Sequence, residues 1–208
     1  MTPFDTVYGA ESCLLEMDSA PDEHLRPVRW SAAPGPADEL VLGRCRGSTL
    51  DIGCGPGRMT SALLRQGRAA LGVDVSAEAV RMTLLRGGRA VRGDVFDPVP
   101  GEGRWEHVLL TDGNLGIGGD PLELLRRAAE LVPATGSIVV ETHPPGVGLH
   151  AGRANLDGGR WFPWARVGID ALSSLAEAAR LRVRWRAYHG QRWLAELVRN
   201  NPESEAHR

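Results

Sequence analysis

The chain changes its hydrophobic rhythm at Ser48. Beyond it, short apolar runs of strand length alternate with stretches whose apolar residues recur every three to four positions, so strands and helices are expected in turn. Thr49-Leu50-Asp51-Ile52 reads as a strand, followed by a glycine turn and a helix from Met59 to Gln66. Ala69 to Asp74 is a second strand. Ser76 then caps a helix in which Ala77, Val80 and Leu84 form one apolar stripe, and Gly87-Gly88 ends it. Ala90 to Arg92 and His107 to Thr111 supply two more strands, with Pro98, Pro100, Gly101 and Gly103 leaving little room for a helix between them. Asp120-Pro121 opens the next helix, with Leu124, Ala128 and Leu131 facing inward, and Ser137 to Glu141 is the fifth strand. Asp170 is expected to cap a helix carrying Leu172, Leu175, Ala176 and Ala179. Leu181, Val183 and Trp185 alternate with Arg182, Arg184 and Arg186, which suits an edge strand with one buried face. Trp193 to Val198 returns beside it after the turn at His189-Gly190. Such alternation means right-handed βαβ units in a doubly wound, mostly parallel α/β sheet closed by an antiparallel C-terminal hairpin, with helices on both faces.

Residues 1–46 lack this rhythm. Pro3, Pro21, Pro27, Pro34 and Pro36 interrupt any long helix, leaving one short helix at Ala37 to Leu42, and the segment is expected to form an arm capping the main unit at 47–200. Residues 201–208 read as a polar tail. With 208 residues and 42% hydrophobic side chains, one core is expected. The formal net charge of −2 argues against a general nucleic-acid binder, which needs cations to neutralise phosphates. Cys13, Cys45 and Cys54 have no CxxC spacing, so neither a metal site nor a disulfide framework is expected, and a reducing cytoplasm is the default setting. No apolar run approaches the roughly 18 residues of a membrane-spanning helix, and Met1 does not open a signal pattern.

The chemistry concentrates at Leu50-Asp51-Ile52-Gly53-Cys54-Gly55-Pro56-Gly57-Arg58, at the carboxyl end of the first strand of the sheet, where such folds bind their ligand. A dinucleotide fingerprint needs glycine at the sixth position counted from Gly53, and Arg58 stands there. Asp51 would also repel a pyrophosphate approaching the helix N-terminus, whereas a cationic ligand suits it. S-adenosylmethionine carries an ammonium and a sulfonium at one end. Asp51-x-Gly53-x-Gly55-x-Gly57 after an apolar strand, with an acid ending the next strand, resembles the class I S-adenosylmethionine-dependent methyltransferases, over about Ser48 to Val198. The resemblance implies a Rossmann-like, seven-stranded sheet and S-adenosylmethionine as cofactor. It further implies that Gly53, Gly55 and Gly57 let the backbone approach the methionine part, and that Asp51 supports its amino group. Asp74 would take both ribose hydroxyls, Val75 would pack on the adenine, and Asp94 with the Val95 backbone would meet the adenine edge. Asp112 and Gly113 would complete the cofactor wall.

The acceptor side is less sharply written. The loop from Leu110 to Asp120 is expected to separate cofactor from acceptor; Asn114 lies in it, but without the following prolines of the tetrad that grips a flipped base. Asn114 and His143, just past the fifth strand, are the candidate catalytic residues, His143 as a base for an alcohol or amine acceptor. The stretch 146–167 is expected to be a specificity loop in which Arg153, Trp161 and Trp164 contact the acceptor, Trp161 more directly and Trp164 more as packing. Tyr8 of the arm would cover the same space. The expected function is methyl transfer to oxygen or nitrogen of a small molecule. Two alternatives remain: an RNA or protein methyltransferase of the same fold, and a non-catalytic S-adenosylmethionine-binding protein.

Overall fold

The computed structural model describes residues 2–200, so the expected polar tail at 201–208 lies outside the described residues. The described residues form two sheets. The larger takes β3 (Thr49–Ile52), β4 (Ala70–Asp74), β5 (Ala90–Arg92), β6 (His107–Leu110), β7 (Ser137–Thr142), β10 (Leu181–His189) and β11 (Arg192–Arg199). Its spatial order is β10-β11-β7-β6-β3-β4-β5, with parallel pairs from β7 to β5 and an antiparallel β10–β11 hairpin at one edge. This is the doubly wound, mostly parallel architecture expected. The chain leaves β3 toward β4 and β5, then returns to the other side of β3 as β6, which puts the switch point between β3 and β6.

Strand parity divides the core. Leu50, Ile52, Val108, Leu110, Ile138 and Val140 face α4 (Pro121–Leu131) and α5 (Leu172–Ala178). Leu109 and Val139, one residue out of phase, face α1 (Pro36–Arg44) and α2 (Arg58–Arg65), and α3 (Ala77–Leu85) lies beside α2. The caps are chemical: Ser76 Oγ accepts from Ala79 N at 2.9 Å at the start of α3, and Asp120 Oδ1 accepts from Leu122 N and Glu123 N, both at 3.0 Å, at the start of α4. Asp170 does not cap α5. Its carboxylate accepts from Gly148 N instead, and Ala171 holds the cap position.

The edge strand departs from the single buried face expected of it. A bulge between Val183 and Trp185 reverses its parity, so Val183 packs on the α4–α5 side and Trp185 on the α1–α2 side. Arg184, at the bulge, stays exposed but reaches back to the hairpin. It shares the fully buried Glu196 with Arg44.

The arm and the 146–167 loop are the larger correction. Both are sheet. β1 (Cys13–Met17), β2 (Glu23–Leu25), β8 (Leu149–Leu156) and β9 (Phe162–Val167) form a second, antiparallel sheet of order β2-β1-β8-β9. One face buries Cys13, Leu15, Met17, Ala154, Leu156 and Trp164 in a third core with Phe4, Trp30 and Phe162 against it. This sheet and the short 3₁₀ turns at Pro3–Thr6 and Pro27–Ser31 cover the carboxyl ends of the larger sheet. Among the described residues, no helix is long and apolar enough to cross a membrane.

Candidate active site

A cavity of about 690 Å³ lies between the two sheets, over the carboxyl ends of β3, β4, β5, β6 and β7. Its floor is the glycine turn, where Gly53, Gly55 and Gly57 all hold left-handed φ values of 66°, 51° and 81°. At Gly53 the turn is tied across the switch point: Asn114 Nδ2 donates to Ile52 O at 2.9 Å and to Gly53 O at 2.8 Å. A Cβ at Gly53 would come within 2.8 Å of that same amide, so the tie requires glycine.

The three acids behave differently. Asp51 is buried, and its Oδ2 accepts from Thr60 N at 3.1 Å and Thr60 Oγ1 at 2.6 Å. Burial pushes its carboxyl up to about 6, against the opposing pull of Thr60 and the Arg58 charge. Asp74 accepts from Gly55 N at 2.9 Å through Oδ2 and from Ser76 N at 2.8 Å through Oδ1. Each oxygen keeps a lone pair for a second donor. Burial raises its pKa more than these two backbone hydrogen bonds lower it. Asp94 is exposed, accepts from Phe96 N at 3.1 Å, and borders the cavity with Val75 and Val95.

Beneath the turn lies a buried charge network. Asp38 pairs with both Arg58 and Arg192, Arg58 also pairs with Asp112, and Arg192 forks onto Glu141 at 2.7 and 2.6 Å. Glu141 in turn accepts from Asp112 N at 2.9 Å and holds that residue at φ 54°, next to Gly113 at 86°. Asp112 is pushed up by burial more than Arg58 and Arg192 lower it. Three carboxylates thus share two guanidiniums where the wall meets the cavity.

The opposite wall is the second sheet. His143 Nε2 lies 3.3 Å from Glu23 Oε2, and Arg166 Nε lies 3.0 Å from the same oxygen. Burial alone would raise Glu23, but the His143 contact and the charges of His143 and Arg166 outweigh it and hold the carboxyl below its usual range. Phe4, Phe162 and Trp164 form a tilted aromatic cluster on this wall, with centroids 5.4 to 5.9 Å apart. Tyr8 stands nearer Asp74, whose charge joins burial in raising the phenol, and the arm is pinned there by a Ser76 Oγ hydrogen bond to Asp5.

A family model described as a methyltransferase domain matches residues 31–199. The chain belongs to the class I S-adenosylmethionine-dependent methyltransferases. The fold of this methyltransferase is shared with solved structures of low identity. An S-adenosylmethionine-dependent methyltransferase from Bacteroides fragilis, in complex with S-adenosyl-L-homocysteine, is 20% identical with a TM-score of 0.74, covering 95% of this chain and 92% of that one. The Burkholderia thailandensis 1,6-didemethyltoxoflavin-N1-methyltransferase is 19% identical with a TM-score of 0.64, covering 82% and 80%. An O-methyltransferase from neocarzinostatin biosynthesis is 22% identical with a TM-score of 0.56, covering 74% of this chain and 49% of that one.

The donor set of the methyltransferase fits its cofactor. Among the described residues Asp51 and Asp74 have no arginine partner, and they face a turn in which Gly53 and Gly55 present only backbone. Of the expected cofactor residues, Asp51, Gly53, Gly55, Asp74, Val75, Asp94, Val95, Asp112 and Gly113 all line the cavity. Gly57 does not; it starts α2, and a Cβ there would strike Thr83 at 2.6 Å. Asn114, His143, Tyr8 and Trp164 also line the cavity. Trp161 and Arg153 lie outside its lining: Trp161 is 40% exposed, and Arg153 sits in β8 with its guanidinium 3.5 Å from Trp161 O. The acceptor contact expected of those two has no geometric support, because the strand pairing turns them away from the space that Trp164 borders. Cys54 is a buried packing residue whose thiol is pushed up by burial and then by the charges of Asp51 and Asp74. Sequence reasoning missed Glu23, Arg192 and Asp38 as site residues.

Proposed function

We propose that the methyltransferase methylates an oxygen or nitrogen of a small, planar molecule held against the aromatic wall. The observation that carries this reading is the His143–Glu23 contact beside Phe4, Phe162 and Trp164, inside a cavity roofed by the second sheet and the N-terminal arm. The arm, docked through Asp5 on Ser76, contributes Phe4, Tyr8 and Trp30 to the cavity lining, which favours a small acceptor over an RNA or protein chain. Two of the structurally similar proteins support this reading: one is a 1,6-didemethyltoxoflavin N1-methyltransferase, and another is complexed with 1,4-dihydroxy-2-naphthoic acid. A cytoplasmic setting belongs to the same proposal, in keeping with three free, buried cysteines.

S-adenosylmethionine supplies an activated methyl cation equivalent on sulfur. On the protein side, Asp74 takes the ribose hydroxyls with its spare lone pairs, Asp94 and the Val95 backbone meet the adenine edge, and Asp51 balances the amino group. Asn114 holds the glycine turn against the loop after β6 and is a positioning residue. His143 takes the proton lost by the acceptor, and the Glu23 carboxylate stabilises the resulting imidazolium. The aromatic wall orients the acceptor and excludes water, which is most of what an in-line displacement on an activated methyl requires. Incubation with methyl-labelled S-adenosylmethionine and separate small-metabolite, RNA and protein pools tests the reading. Label in the metabolite pool, lost in His143→Ala, is expected; label in RNA or protein alone overturns it.

A further inference from the structure

The two walls of the cavity carry opposite charge. On the glycine-turn wall, Asp51, Asp74 and Asp94 have no cationic partner among the described residues. On the second-sheet wall, Glu23, the one acid there among the described residues, is taken up by Arg166 and His143. That wall also presents Arg26 and Arg29, and neither guanidinium has an ion pair or a hydrogen-bond partner among the described residues.

These two arginines are placed together by local geometry. Arg26 is the cap residue before the 3₁₀ turn Pro27–Ser31 and Arg29 lies within it, and Arg29 N donates to Arg26 O at 2.9 Å. The turn is anchored at both ends. Val28 N donates to Ala10 O at 3.0 Å, and Arg86 donates to Ser31 O and, at 2.7 Å, to Ala32 O. Trp30, next in the chain, is packed on Phe4 and Tyr8 at centroid distances of 6.1 and 6.2 Å. Two unpartnered guanidiniums carried on an anchored backbone turn beside an aromatic wall are suited to a carboxylate on a flat ring, which a guanidinium fork can meet with two parallel hydrogen bonds.

Resting on the proposed small-molecule reading, we propose that Arg26 and Arg29 form an anion clamp, and that the acceptor is an aromatic carboxylic acid. The carboxylate lies on the clamp, the ring lies against Phe4 and Trp30, and the atom to be methylated points to His143. The charge segregation assigns the clamp to the acceptor: a cation-bearing cofactor suits the acidic wall, and an anionic acceptor suits the basic one.

The test uses the full chain loaded with S-adenosylhomocysteine, and as probes 4-hydroxybenzoate and 2-naphthoate with their uncharged amides, followed by tryptophan fluorescence and calorimetry. The acids are expected to bind at least tenfold tighter than the amides, with the preference shrinking as salt is raised. Arg26→Gln/Arg29→Gln should erase the preference while leaving the melting temperature unchanged and S-adenosylhomocysteine affinity within twofold. Equal binding of acid and amide, or binding of neither, overturns the clamp. Loss of S-adenosylhomocysteine affinity in the double variant, with methylthioadenosine affinity intact, also overturns it, because the arginines then hold the amino-acid end of the cofactor. Failure of the unsubstituted protein to bind S-adenosylhomocysteine would instead sink the underlying reading. The acid–amide comparison needs no variant, so it stands even if the double variant fails to fold.

Discussion

Replacing Asp74 by alanine separates a ligand role from a turn role. The carboxylate already accepts from Gly55 N and Ser76 N, so the substitution removes two protein hydrogen bonds and two acceptors for the ribose. Hydrogen bonds to a charged group contribute about 1.5–3 kcal/mol each, and two on one carboxylate are less than additive, so S-adenosylhomocysteine binding should weaken by about 3 kcal/mol, roughly 150-fold. The orphaned backbone donors should also cost about 1–3 kcal/mol of stability. Asparagine is the informative control. Its oxygen keeps one set of acceptors while its amide confronts the other backbone donor, so an affinity loss of about tenfold is expected. Calorimetry with S-adenosylhomocysteine, alongside thermal melting, reads both effects. An Asp74→Ala protein with a lowered melting temperature but an affinity within threefold of the unsubstituted chain would refute the ribose role and leave Asp74 as a turn residue.

The remaining predictions concern the buried charges and the aromatic wall. Asp51 has a folded-state value of about 6 against 3.8 for the free side chain, so between these pH values the folded chain holds a proton that the unfolded chain releases. Stability from this group therefore falls as pH rises from about 4 to 6, by on the order of 3 kcal/mol, and Asp51→Asn should flatten that slope in melts across pH. An unchanged slope would show that Asp51 does not titrate there. Arg192→Met leaves Glu141 and Asp38 short of a buried cation and should cost about 3–5 kcal/mol in denaturant unfolding; a change below about 1 kcal/mol would mean that the network is slack. Trp164→Ala, at 7% exposure in the third core, should cost about 3–5 kcal/mol. Trp161→Ala should stay within about 0.5 kcal/mol and spare cofactor affinity and turnover, and a loss of turnover would return it to the acceptor site.

Much of this arrangement is legible in the sequence. The central strands are buried on both faces, so Leu50, Ile52, Val108 to Leu110 and Ile138 to Val140 announce themselves as apolar runs, and the glycine turn with Asp51, Asp74 and Asp94 follows from three strand ends in register. The second sheet was hidden because its strands are half exposed and its partners lie far apart in the chain: Leu15 pairs with Leu156. Two local signals pointed to it. Cys13, Leu15 and Met17 alternate with less buried neighbours, and Asp157-Gly158 between β8 and β9 is a hairpin dipeptide that adopts φ values of 50° and 70°. Glu23, Arg192 and Asp38 carried no such signal. Their partners lie 120, 51 and 154 positions away, and a charged residue reads as solvated surface until tertiary structure supplies its counterion.

The bulge in β10 taught a related lesson. The alternation from Leu181 to Arg186 is a faithful strand signal, yet one extra residue moves Trp185 to the other face and turns Arg184 onto a buried Glu196.

The central claim is the division of the cavity into a cofactor wall and an acceptor wall, and diffraction from crystals grown with S-adenosylhomocysteine tests it most directly. The account predicts density with the ribose hydroxyls on Asp74, the adenine edge at Asp94 and Val95, and the space between His143, Trp164 and Arg29 left open. Density lying along Arg26, Phe162 and Trp164, with Asp74 bare, would contradict it.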